Sequence, residues 1–340
     1  FAVLYRTNAQ SRAIEDSLRK RNIQYRVYGG LSFYQRKEIK DIIAYLRIII
    51  NPNDEESLKR IINYPARGIG STTIDKLIIA SKEFNLTLFE VIKNLSKINI
   101  RINNGTREKL NDFLNLIKLF QIENRKLNAY QISDLVIKKS GIINILKSEG
   151  TPENISKIDN IEELLNGIRD FTDGQLEIVN ATGNISEFLE DIALATDFDN
   201  DNEPDADKVS LMTIHLAKGL EFPTVFIVGL EEDLFPSAMS LNTRSELEEE
   251  RRLFYVAVTR AKEQAYITYT QSRYRWGKLI DAEPSRFIEE IDDKYVEKEN
   301  VYRYKSKPLV DASIFESFKQ KKEFNSVSKP NQSQLSKLKR

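Results

Sequence analysis

The stretch TIHLAKGLEFP, residues 213–223, carries the one histidine of the 340-residue chain. His215 stands six positions before Glu221, with Gly219 between them. An imidazole and a carboxylate in a glycine-containing loop can point in different directions, so each could meet a different ligand. Short apolar runs flank the loop, VSLMTI before it and TVFIVGL after it, and both read as buried strands. In open α/β sheets ligands gather beyond the carboxyl ends of the strands. The loop leaves that end of the first run, so both side chains are expected there. The same letters also suit a glycine turn with a strand-capping histidine and a solvated glutamate.

Three further stretches could do chemistry. In EEERRLFYVAVTRAKE, Leu253, Phe254, Val256, Ala257 and Val258 form an apolar stripe that reads as a packed helix, and Arg260 follows it directly after Thr259. An arginine held on a packed helix suits a transferring phosphoryl group, although an ion pair with one of Glu248 to Glu250 would use it equally well. In NYPARGIGSTTIDKL, Arg67 precedes a tight Gly68-Ile69-Gly70 hairpin, with Ser71 and Thr72 as N-cap candidates for the next helix. A nucleic-acid phosphate would fit that helix start, and so would a plain connection between helices. In SRYRWGK the only tryptophan, Trp276, sits with Tyr274 among three bases just after a strand. That composition suits base stacking along a single strand, or a tryptophan closing the edge of the core.

These stretches need elements to hold them. FAVLYR, SRAIEDSLRKRN and IQYRVYGG read as strand, amphipathic helix and strand, with Ala13, Ile14 and Leu18 as the apolar face of the helix. That βαβ opening favours a parallel sheet. From about Tyr34 to Ala195 the pattern turns helical, with apolar spacing of i, i+3, i+4 broken at proline and glycine. The acidic run DFDNDNEPDAD then reads as a linker, and strands return after it. The pattern predicts an α/β domain split in sequence by a helical insertion. Beyond residue 292 the chain is polar and weakly patterned, as in a linker or disordered tail.

Composition narrows the chemistry. The absence of cysteine excludes disulfides, thiolate metal sites and cysteine nucleophiles, and a lone histidine excludes multi-histidine metal sites. A reducing, cytoplasmic setting is expected. No apolar run reaches the length of a membrane span, and the first residues lack the features of a secretory signal. They also lack an initiator methionine, so a preceding segment is expected. Net charge is zero, yet residues 1–47 hold ten Lys/Arg against four Asp/Glu and residues 197–207 hold six acids and no base. A basic face balanced by acids elsewhere is compatible with nucleic-acid binding and with ordinary surface charge. No GxxxxGK[ST] phosphate loop occurs, so nothing here would hold a triphosphate with its magnesium.

Taken together, the stretches resemble the carboxyl-terminal half of the UvrD/PcrA/Rep family of superfamily 1 DNA helicases, from Phe1 to about Ile291. TIHLAKGLEFPTVFIVGLEEDLFP looks like motif V, EEERRLFYVAVTRAKE like motif VI, and VLYRTNAQSRAIEDSL like motif IVa. YGGLSFYQRKEIKDIIAYLR and PARGIGSTTIDKL resemble the start and the hairpin of the family's inserted domain. The resemblance implies a second RecA-like α/β domain, residues 1–28 and 207–291, whose parallel sheet is split by an inserted all-α duplex-binding domain, residues 29–206, with a linker or tail at 292–340. It implies that Glu221, with Gly219 in the same loop, contacts the nucleotide ribose and that Arg260 reaches the γ-phosphate of ATP. It places Arg6, Asn8 and His215 against single-stranded DNA and Trp276 against a base. Arg67, Gly68, Ile69, Gly70, Ser71 and Thr72 match the hairpin that grips duplex ahead of a fork.

The implied partners are single-stranded DNA, its junction with duplex, and an amino-terminal RecA-like domain that carries the phosphate loop and the Mg2+ ligands. A repair or transcription partner through the tail is a further expectation, and membrane contact is not expected. The resemblance implies an ATP-dependent helicase moving 3′ to 5′, and a fragment that does not hydrolyse ATP alone. The alternative is a stand-alone DNA-binding or regulatory module that keeps the helicase-like scaffold.

Overall fold

The computed structural model describes residues 1–176, 183–199, 207–275 and 278–298. Five strands form one sheet: β1 (Ala2–Tyr5), β2 (Tyr25–Val27), β3 (Val209–Thr213), β4 (Phe222–Val228) and β5 (Ala261–Thr268). All four residues of β1 are buried, and a strand apolar on both faces belongs at the centre of a parallel sheet. The order is β2-β3-β1-β4-β5, with every pairing parallel. The opening strand-helix-strand unit is present, but its two strands are not neighbours. β3, some two hundred residues downstream, lies between them.

Helix α1 (Ser11–Lys20) follows β1 and has two working faces. Ile14 and Leu18 pack against the small apolar cluster of Val3, Tyr5 and Leu211. Ser11, Arg12 and Glu15 are buried on the other face, whereas Ala13 is exposed, which departs from the expected apolar stripe. The physical reason is an ion cluster. Arg12 donates from Nε to Glu163 (2.7 Å), from Nη1 to Asp16 (3.0 Å) and from Nη2 to Asp170 (3.2 Å). Burial works against the Arg12 charge, but the carboxylates of Glu163 and Asp16 outweigh it and raise its pKa.

Between the strand groups, every described element from Phe33 to Asp199 is helical: α2 (Lys37–Ile50), α3 (Glu55–Ile61), α4 (Ser71–Phe84), α5 (Leu88–Lys93), α6 (Asn104–Glu123), α7 (Ala129–Ser140), α8 (Ile142–Glu149), α9 (Pro152–Leu176), α10 (Ile185–Asp199) and one short 3₁₀ turn. Their apolar positions merge into one core. Helix α2 is its hub: KEIKDIIAYLRIII is buried at ten positions and touches α3, α6, α7, α9 and α10. Eight of those ten are apolar, spread round most of the helix, so it is stable only when surrounded. The pattern reading found most of these helices but not α3 or α8, whose few turns carry too little periodicity.

After β4 come α11 (Arg244–Val258), the antiparallel pair β6 (Ser272–Arg275) and β7 (Lys278–Asp281), and the short α12 (Arg286–Glu289). The expected helix through Lys262 and Glu263 ends instead at Val258, and β5 begins at Ala261. Arg260 therefore lies in the turn between helix and strand rather than on the helix. Contacts group Phe1–Glu290 into one compact unit and Ile291–Arg340 into a second, of which residues 291–298 are described. Among the described residues no helix is long and apolar enough to cross a membrane. Part of the acidic run, Trp276, and the tail beyond 298 lie outside the described residues.

Candidate nucleotide and nucleic-acid site

The loop between β3 and β4 joins two parallel strands, so it must run back along the sheet. Registers measure the distance: Ala2 stands level with Ser210 of β3 and with Val225 of β4. His215 lies five residues past that level and Glu221 four residues before it. His215 is therefore at the carboxyl edge of the sheet and Glu221 at the amino edge, which corrects the expectation that both share the carboxyl edge. Gly219 makes the return at φ +88°, a conformation that L side chains rarely adopt, with open space where a Cβ would stand.

At the amino edge the starts of β4 and β5 are paired, Phe222 with Ala261. Arg260, the residue before β5, is half-buried and held by three donors. Its Nε bonds the Val256 carbonyl (3.0 Å), Nη1 the Leu220 carbonyl (2.9 Å) and Nη2 the Thr259 hydroxyl (3.1 Å). Thr259 is fixed in turn, donating to the carbonyls of Tyr255 (2.9 Å) and Val256 (3.1 Å). A guanidinium carries five N–H donors, so two remain for a ligand. Glu221 is exposed, with the ammonium of Lys262 at 3.8 Å. An arginine, a lysine and a carboxylate on one open edge can address an anion and a hydroxyl together. Lys262 carries no such signal in the sequence, where TRAKE continues the helical pattern.

At the carboxyl edge β1 runs into a short 3₁₀ turn, Asn8–Gln10. Gln10 Oε1 accepts from the amides of Arg6 (3.0 Å) and Thr7 (2.9 Å), which fixes the chain leaving the strand. Asn8 is exposed, and its carbonyl accepts from Nη1 of the buried Arg36 (2.9 Å), which also bonds Asn160. Arg6 forms a two-pronged pair with Glu250 of α11, Nε to Oε2 at 3.0 Å and Nη2 to Oε1 at 2.7 Å. The His215 pKa is lowered by partial burial and then by the Arg6 charge, while Glu250 acts in the opposite direction. The structure thus brings Arg6, Asn8 and His215 to one edge and Arg260, Glu221 and Gly219 to the other.

The hairpin lies apart from both, in the helical part. Gly68, with φ +71°, and Gly70, Ser71 and Thr72 are exposed, whereas Ile69 is fully buried. Gly70 is the N-cap of α4, one residue ahead of the expected Ser71. The Thr73 amide turns back to the Gly70 carbonyl (3.0 Å), and the Ser71 and Thr72 amides stand ahead of that first bond at this exposed start. Arg67 turns inward instead. Its Nη1 reaches the Ile61 carbonyl (2.9 Å), its Nη2 the Tyr45 hydroxyl (2.6 Å), and it stacks 5.3 Å from the Phe113 ring centroid. Asn63, unremarked in the sequence, accepts from the amides of Arg67 (2.9 Å) and Ile69 (3.0 Å) and so shapes the hairpin. Lys109 supplies the cation here: its Nζ lies 2.5 Å from where a Gly68 Cβ would stand.

A cleft of about 790 Å³ opens where β4 and β5 end, lined partly by Glu231, Asp233, Tyr269, Arg273 and Tyr274. Glu231 is 1% exposed and binds Arg273 through two bonds of 2.6 and 2.7 Å, and the Thr270 amide at 2.9 Å. It anchors β6, the strand that leads toward Trp276. Arg169 of α9 stacks on Tyr130 (4.2 Å) and on Tyr274 of β6 (4.7 Å). Among the described residues no cluster of three or more histidine, aspartate or glutamate side chains is arranged to hold a metal ion.

Comparison with known proteins adds an independent finding. The family model described as the UvrD-like helicase C-terminal domain matches residues 1–272. The chain is 41% identical over 320 residues to the ATP-dependent DNA helicase PcrA of Staphylococcus aureus, covering 91% of this chain and 42% of that protein. It is 40% identical over 314 residues to DNA helicase II of Salmonella typhimurium and to that of Escherichia coli, with the same coverage. The chain thus spans about two fifths of the length of these curated relatives.

Proposed function

The chain belongs to the UvrD-like helicase family, and we propose that it is the carboxyl-terminal part of an ATP-dependent DNA helicase moving 3′ to 5′ along one strand. The observation that carries this reading is the separation of the two polar groups. Arg260 and Glu221 share the amino edge of the sheet, while Arg6, Asn8 and His215 share the carboxyl edge. One domain can then address a nucleotide on one side and a strand on the other.

In this reading the sheet and its flanking helices, residues 1–28 and 207–291, form the second RecA-like domain, and residues 29–206 form an inserted duplex-binding domain. Arg260 acts as the arginine finger. Three of its donors hold it in place, and the two left over meet the γ-phosphate, so little conformational freedom is lost when charge develops there. Glu221 accepts from the ribose hydroxyl and Gly219 lets the loop approach. Arg6, Asn8 and His215 contact the tracking strand, and Trp276 stacks on a base. The exposed start of α4, from Gly68 to Thr72, meets duplex phosphates. Arg67 supports that hairpin from within rather than touching DNA. Mg2+ supplies charge neutralisation between phosphates when bound. Its ligands belong to the amino-terminal part of the enzyme, as does the phosphate loop, so the chain by itself does not turn over ATP.

The test is Arg260→Ala in the full-length enzyme. Loss of an arginine finger lowers turnover by about 10³ to 10⁵, while single-strand affinity stays near that of the wild type. Unchanged ATP turnover would overturn the assignment.

A further inference from the structure

We propose that Glu250 is a positioning residue for strand binding, holding Arg6 so that its free edge faces the DNA backbone. The inference rests on the reading that Arg6 meets a phosphate. Its grounds are geometric. The carboxylate of Glu250 takes Nε and Nη2 of Arg6 in a two-pronged pair, which leaves Nη1 and one proton of Nη2 uncommitted. The Glu250 side chain is 6% exposed and that of Arg6 22% exposed, so the carboxylate is the buried support and the guanidinium the outward group. Glu250 also lies within 3.4 Å of the Ser237 amide, and it projects from the middle of α11, whose Phe254 and Ala257 are buried. The support is therefore rigid. An arginine without it would sample many rotamers and present its donors to a phosphate only part of the time.

The proposal predicts the opposite sign from simple charge counting. Glu250 is an acid on the face that would meet a polyanion, so removing its charge should tighten binding if the residue were only a source of local field. A positioning role requires weaker binding instead. The experiment measures affinity of the 340-residue chain for a fluorescein-labelled thymidine oligonucleotide by anisotropy across a salt series. Glu250→Gln is expected to weaken binding about tenfold and to lower the salt slope by about one phosphate contact. Arg6→Gln should do the same, and the double variant should bind no more weakly than Arg6→Gln alone.

Glu250→Asp keeps the charge and withdraws the carboxylate by one methylene. It should also weaken binding, and it serves if the Gln variant does not fold. Wild-type affinity in both Glu250 variants, or tighter binding in Glu250→Gln, with Arg6→Gln still weakened, would overturn the positioning role and leave the DNA contact of Arg6 intact. Wild-type affinity in Arg6→Gln, or no binding by the parent chain, would overturn the assignment of Arg6 itself and the present inference with it.

Discussion

Arg260 brackets Glu221. Its guanidinium donates to the carbonyl of Leu220 at 2.9 Å, and its own carbonyl accepts from the amide of Phe222 at 2.9 Å, so both peptide neighbours of the glutamate are tied to the arginine. The backbone that carries Glu221 is thereby fixed to Arg260.

That bracket makes a fork of donors necessary, and a lysine cannot supply one. A compact ammonium has three donors at a single point and cannot reach the Val256, Leu220 and Thr259 oxygens together while addressing a phosphate. Arg260→Lys in the full-length enzyme should lower ATP turnover by about 10³ or more, the lower range for losing an arginine finger. Steady-state phosphate release checks it, with turnover within tenfold of wild type as the contrary result.

Gly68→Val should weaken binding to a forked duplex about tenfold, or about 1.4 kcal/mol, more than binding to bare single strand. The residue has φ +71°, and an added Cβ would stand 2.5 Å from the Lys109 ammonium, so both the hairpin and its cation would move. Competition titrations with the two substrates decide it, and equal losses would remove the hairpin from duplex contact.

Glu231 provides a stability test with a defined pH direction. Its pKa is lowered: burial opposes ionisation, but the hydrogen bonds from Arg273 and Thr270 and the Arg273 charge prevail. The folded state therefore prefers the carboxylate more than the unfolded chain does. That contribution is present above the unfolded value of about 4.3 and is lost as pH falls through the lower folded value. Glu231→Ala should cost about 3 kcal/mol near neutrality, since it leaves Arg273 without its partner, and the penalty should shrink on acidification. Urea unfolding at two pH values measures both.

His215 is the only imidazole, so its C2 proton is a clean resonance in this chain. It should titrate below about 6.5, the ordinary histidine value. Partial burial and Arg6 depress it while Glu250 raises it, so Arg6→Gln should move the midpoint up and Glu250→Gln should move it down. Identical midpoints in all three proteins would separate His215 from that ion pair.

The sequence was most legible where one local period sufficed. The apolar spacing of EIKDIIAYLRIII, KLNDFLNLIKLF and ISEFLEDIALA marked α2, α6 and α10, and the apolar runs marked β1, β3 and β4. Long-range relations were not legible. Nothing local says that β3 separates β1 from β2, or that the polar face of α1 is buried against Glu163 and Asp170. Arg67 reads as a cation for a nucleic-acid phosphate because its acceptors, the Ile61 carbonyl and the Tyr45 hydroxyl, leave no mark in its own neighbourhood. Arg260 looked helical because the apolar stripe ran up to it, whereas the Thr259 hydroxyl turned back to the Tyr255 and Val256 carbonyls where the helix stops.

From Glu250 to Val258, α11 is nine residues of unbroken helix without glycine or proline, about 12 Å of strut. A helix that short bends little. The bend at Thr259 and Arg260 is held by five hydrogen bonds, so slack between the two polar edges must lie in the eight-residue return loop 214–221, where lengthening the chain would idle one edge against the other.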